Sequence, residues 1–101
     1  MKIAYIAGPY RAKTKWGVQQ NIAAAEAVAL KYWELGYAVI CPHKNTSHFD
    51  GAMPDETWLA GDIEILKRCD AIVLMSNYRD SVGACRELVV AMENGLEVIY
   101  E

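Results

Sequence analysis

Asp70–Ala91 reads DAIVLMSNYRDSVGACRELVVA, and the fold of the chain turns on how this stretch is organised. It opens with an apolar run, Ala71–Met75, of the length expected for a strand buried on both faces. A polar loop, Ser76–Asp80, follows. Ser81-Val82-Gly83 then enters a helical segment that carries Glu87 on its first turns. A buried strand ending in a loop and a helix start is the usual binding geometry of α/β proteins. The first N–H groups of such a helix have no intrahelical partner and attract anions, and the helix dipole helps keep a nearby carboxylate ionised. The stretch therefore offers an anion cradle and, a turn later, a charged oxygen nucleophile.

The flanking sequence repeats the strand–helix alternation. Lys2–Ala7 is expected as the first strand, stopped by Gly8-Pro9, and a polar segment, Tyr10–Gln20, follows it. Asn21 is the expected N-cap of a helix over Ile22–Leu35, which Gly36 ends. Tyr37–Cys41 reads as the second strand, closed by Pro42. The connection His43–Pro54 is longer than most and of the kind that often carries function. A second helix begins at Asp55 or Glu56 and runs to about Lys67. Ser81–Asn94 is the third helix, stopped by Gly95, and Leu96–Tyr100 the last strand.

This alternation implies right-handed crossovers and a parallel sheet. The expected architecture is a single α/β domain over residues 1–101, a three-layer flavodoxin/Rossmann-like fold. Its four-stranded parallel sheet has the order 2-1-3-4, with helices on both faces. Strands 1 and 3 are then central, and the chain reverses direction between them. Ligands bind at such a reversal, at the carboxyl ends of the strands. The loops leaving those two strands contain Gly8–Arg11 and Ser81–Glu87, so topology alone brings the two patches together.

Composition narrows the partners. The net charge is −3, and the ten Lys and Arg residues are scattered, which argues against duplex nucleic acid or an anionic membrane as partner. No apolar run approaches the ~20 residues of a membrane span. The start, MKIAYIAGPY, reads as a strand rather than a signal peptide. Cys41, Cys69 and Cys85 are odd in number and lack CxxC spacing, as expected of reduced thiols in a cytoplasmic protein. A hydrophobic share of 53% leaves apolar surface for a partner subunit.

Several side chains stand out chemically. A helical projection puts Asp62 inside the arc of Trp58, Leu59, Ile63, Ile65, Leu66 and Cys69. A carboxyl so placed loses solvent, and its pKa rises until it holds a proton near neutrality. Its other reading is a structural Asp that caps a loop or pairs with a lysine. Glu87 alone reads as a first-turn glutamate stabilising the dipole. Together with Asp62 it forms the acid-plus-nucleophile pair used on glycosidic bonds. Ser81 and Gly83 either meet a phosphate or sugar hydroxyl or make an ordinary helix start, with Ser81 capping and Gly83 easing close packing. Gly8-Pro9 is a turn, and Arg11 after it a fork of donors for phosphate or a solvated surface cation. Tyr5 sits on a central strand, where a core role needs a bonded hydroxyl. Tyr10, Trp16, Phe49 and Trp58 are candidates to stack on a flat base. His43, His48 and Asp50 fit no standard metal spacing, so no metal is expected. No P-loop, GxGxxG or GxSxG occurs.

Three segments in this order resemble the nucleoside 2-deoxyribosyltransferase superfamily, above all its small phage and bacterial members. They are Tyr5-Ile6-Ala7-Gly8-Pro9, Asp62 eight residues before Asp70, and Ser81-Val82-Gly83-Ala84-Cys85-Arg86-Glu87. The resemblance covers nearly the whole chain. It implies that Glu87 attacks the anomeric carbon of a 2-deoxyribose to form a covalent glycosyl-enzyme. It further implies that Asp62 helps protonate the leaving base and that Tyr5 positions the glutamate. Transferases of the superfamily pass the sugar to another base; the related deoxynucleoside 5′-monophosphate N-hydrolases pass it to water. The serine at 81 and Arg11 resemble the hydrolases' phosphate contacts, which implies a 5′-monophosphate held by Gly8, Pro9, Tyr10, Arg11, Ser81 and Gly83. Pro9 and Arg86 depart from the pattern: the hydrolases offer a serine in the first loop, and Arg86 is a bulky cation beside the nucleophile. No cofactor is implied, and a homo-oligomer, dimer or higher, is. The alternative function is a protein of the same fold that binds a nucleotide or nucleotide-sugar without turning it over.

Overall fold

The computed structural model describes residues 1–101. Four strands, β1 (Ile3–Ala7), β2 (Ala38–Ile40), β3 (Ala71–Leu74) and β4 (Glu97–Tyr100), form one sheet. All its pairings are parallel and the order is β2-β1-β3-β4, as expected from the alternation. The central strands carry almost uninterrupted apolar runs because both of their faces are covered. All four residues of β3 and the last four of β1 are buried.

Side chains alternate across a strand, and the alternation sorts two cores. Ala4 and Ile6 face α1 (Lys15–Glu34), packing with Ala25, Ala29 and Tyr32. Tyr5 and Ala7 face the other way, towards Leu66 of α3 (Asp55–Lys67) and Ala84 and Ala91 of α4 (Val82–Glu93). That choice of face aims the Tyr5 phenol at α4. None of the helices is long and apolar enough to cross a membrane.

Two elements differ from expectation. α1 begins at Lys15, not at Ile22, and its N-cap is Thr14, whose hydroxyl accepts from Gly17 N–H at 3.0 Å. Its first turns are polar and solvated, with Trp16 72% exposed, so no apolar period marks them; the cap starts the helix. Asn21, not a cap, lies within α1 and donates to the carbonyls of Tyr10 (3.0 Å) and Arg11 (3.3 Å). The connection after β2 holds a one-turn helix, α2 (Pro42–Asn45), started by proline at its first position.

At the carboxyl ends of the central strands the two functional loops touch. A Cβ on Gly8 would sit 2.3 Å from Met75 Sδ and 2.9 Å from Met75 Cβ. Only glycine allows that approach. Met75 N–H in turn donates to Ala7 O at 2.9 Å, carrying the β1–β3 pairing past the strand ends.

Candidate active site

Tyr5 is fully buried on β1, and its hydroxyl donates to Glu87 Oε2 on the second turn of α4. Burial raises the phenol far above its ordinary pKa, and the charges of Glu87 and Asp62 raise it further. Asp62, on α3, therefore lies close enough to act on both partners of that bond. The three groups come from β1, α3 and α4, the elements that share one core.

Burial pushes the Asp62 carboxyl up to about 6. Glu87 is pushed up to about 7, chiefly by burial; the Tyr5 bond pulls it down and the charge of Asp62 pushes it up again. Both carboxyls are thus raised towards neutrality, and the two titrate as a pair. The dipole acts mainly within the first turn and contributes at most ~1 kcal/mol at exposed sites. Glu87 sits beyond that turn and loses most of its water, so desolvation wins.

The entrance to α4 is capped by Ser81, whose hydroxyl accepts from Ala84 N–H at 3.0 Å. The N–H groups of Val82 and Gly83 precede the first intrahelical donor. A Cβ at Gly83 would meet only Ser81 Oγ, at 3.7 Å, so the expected packing role for this glycine is not found. Gly83 faces open space.

The first loop is held from several sides. Pro9 O accepts from His43 Nε2 at 2.8 Å. The Tyr10 ring stands edge-on to His43, and its hydroxyl donates to Asp50 at 3.2 Å. Arg11, expected to stand free as a phosphate fork, is instead paired with Asp55 at 2.8 Å, with both side chains mostly exposed. Such a surface pair is worth ~1 kcal/mol or less, so an arriving phosphate can outbid the carboxylate.

Among the other singled-out residues, Phe49 and Trp58 pack on each other at 6.0 Å, and Arg86 is exposed without an ion pair. His43, His48 and Asp50 do not gather into a group able to hold a metal. All three cysteines are free thiols. Sequence reasoning missed Asp55 as the partner of Arg11, and His43 and Asn21 as supports of the loop. A buried, unsatisfied histidine nitrogen is the only signal of the second, and it is visible only in three dimensions. A cleft of about 660 Å³ lies elsewhere, between α1 and the β2 edge, lined by neither Asp62 nor Glu87. The reactive groups, not the volume, locate the site.

Residues 1–100 match the family described as "Domain of unknown function (DUF4406)". No curated protein matches the sequence. Two solved 2-deoxyribosyltransferases share the architecture. The one from Bacillus psychrosaccharolyticus is 22% identical, with a TM-score of 0.68 over 97% of this chain and 70% of its own. The one from Leishmania mexicana is 20% identical, with a TM-score of 0.72 over 99% of this chain and 63% of its own. The chain thus spans about two thirds of these neighbours' length, and the shared property is the α/β fold.

Proposed function

The chain belongs to the DUF4406 family, and on that premise we propose that it cleaves the N-glycosidic bond of a (2-deoxy)nucleoside or its 5′-monophosphate. The observation that carries this reading is the Tyr5–Glu87 hydrogen bond with Asp62 beside it, two acids both raised towards neutral pH. One Glu87 oxygen attacks the anomeric carbon as the bond to the base breaks. The bonding pair leaves with the base, which takes a proton from Asp62. The resulting glycosyl ester is then opened by water or by a second base. Tyr5 holds the attacking oxygen, and the free N–H groups at the start of α4 take the 5′-phosphate together with Ser81, Arg11 and the Gly8–Tyr10 backbone. The developing sugar cation is met by the carboxylate, so the mechanism calls for no metal or organic cofactor.

The decisive experiment is incubation of the purified protein with a panel of (deoxy)nucleosides and 5′-monophosphates, with chromatography for free base. Release of base from at least one of them is expected; none from any removes the enzyme reading. Non-catalytic nucleotide binding is the second reading, favoured by Arg86, an exposed cation without an ion pair one residue before Glu87. Calorimetric binding with the ligand intact after long incubation would select it. A homo-oligomer belongs to the proposal because α4 leaves Val82, Val89 and Met92 largely exposed, and a cytoplasmic setting fits the free thiols.

Gly83→Ala separates binding from folding. Alanine fits the space at 83 and is expected to stabilise the helix start by about 0.5–1 kcal/mol. The same methyl group crowds the anion's approach, so KM for a 5′-monophosphate should rise by about tenfold, the worth of one charge-assisted hydrogen bond. Thermal melts and steady-state kinetics of the variant check both halves.

A further inference from the structure

The backbone from Gly8 to Arg11 is gripped by side chains that the proposed chemistry does not use. Pro9 O accepts from His43 Nε2, and the carbonyls of Tyr10 and Arg11 both accept from Asn21 Nδ2. All peptide bonds here are trans, so each N–H points opposite to the carbonyl of its own peptide unit. Fixing those three carbonyls towards α1 and α2 turns the N–H groups of Tyr10, Arg11 and Ala12 the other way. None of the three donates within the chain. Three successive amides left free on one side of the loop are donors that an anion can take.

His43 is the revealing member. It is 5% exposed, and its Nδ1 meets no donor of the chain. Because a carbonyl only accepts, Nε2 carries the proton and Nδ1 is a bare acceptor. An orphaned buried nitrogen costs more than one neutral hydrogen bond returns, so the imidazole is a poor stabiliser at this place. Its use is geometric.

We infer that His43 is a positioning residue, whose bond to the Pro9 carbonyl aims the Tyr10–Ala12 amides at the anionic group of the substrate. The inference rests on the proposed nucleotide substrate for its catalytic consequence but not for its structural one. His43→Leu removes the donor and the orphan together, while the carboxamide of His43→Gln restores a donor. KM for the 5′-monophosphate should rise about tenfold in His43→Leu, with kcat and melting temperature little changed, and return to within a few-fold of wild type in His43→Gln. Backbone amide chemical shifts of Tyr10, Arg11 and Ala12 should move in the leucine variant alone, and nitrogen NMR of the wild type should report the Nε2–H tautomer. A leucine variant with unchanged KM and unchanged amide shifts overturns the inference, as does a glutamine variant no better than leucine. If the wild type neither cleaves nor binds any nucleotide, the functional reading fails instead, and the amide shifts and the tautomer still decide whether His43 sets the loop.

Discussion

Replacing Glu87 by glutamine is expected to lower kcat for base release by at least about 10³-fold while leaving nucleotide binding intact, the signature of a lost nucleophile. Glutamine keeps the shape and the acceptor that the Tyr5 hydroxyl addresses, so the loss is one of charge and not of packing. The same change should improve stability in alkaline solution. Folding raises the Glu87 pKa above its unfolded value of 4.5 to about 7, so across that interval the folded chain holds more protons than the unfolded one. This contribution is fully present below the unfolded pKa and is lost as pH rises through the folded one. Above pH ~7 the wild type carries a desolvated charge that the glutamine variant lacks. Melting curves at several pH values should therefore show the wild type falling between about pH 5 and 8 more steeply than Glu87→Gln. Stopped-time chromatography with excess enzyme checks the kinetic half. A variant that retains more than a few per cent of the activity removes Glu87 from the role of nucleophile, and one that melts with the same pH profile as wild type shows that folding does not shift the Glu87 carboxyl.

The stretch from Asp70 to Ala91 was informative in sequence because its parts are local. An apolar run buried on both faces, a polar loop, and a serine three residues before an N–H it can cap each leave a mark within a few positions. The strand order followed from the alternation, and the burial of Tyr5 from its central strand. Other features depend on distant partners and leave no such mark. The first turns of α1 are largely solvated and bury no apolar stripe, so their helix shows only in the Thr14 cap. Arg11 meets Asp55 across 44 residues, and His43 meets Pro9 across 34. The burial of the two acids is of the same kind. The dipole argument correctly identified a force on Glu87, but its size was set against a burial that only the packing of β1, α3 and α4 determines.

Asp62→Asn tests the role of the second acid. The neutral amide cannot protonate a departing base, so release of an unactivated base should fall by about 10²–10⁴-fold, the usual worth of general acid catalysis. A leaving group that departs as a stable anion needs no proton, and a nitrophenyl 2-deoxyriboside should keep most of its rate. The pH profile adds a second requirement. In the wild type both carboxyls titrate near neutrality, about 6 and about 7, and the pair shares its protons. The singly protonated pair that reacts has the proton on Asp62 and the charge on Glu87. The wild-type kcat/KM should accordingly be bell-shaped, with limbs belonging to the pair. In Asp62→Asn the negative charge that pushes Glu87 up is gone. With the activated substrate the acid limb should move to lower pH, and the alkaline limb should disappear. Equal losses for both leaving groups would make Asp62 a structural acid, and an acid limb that does not move would mean that the two carboxyls do not sense each other.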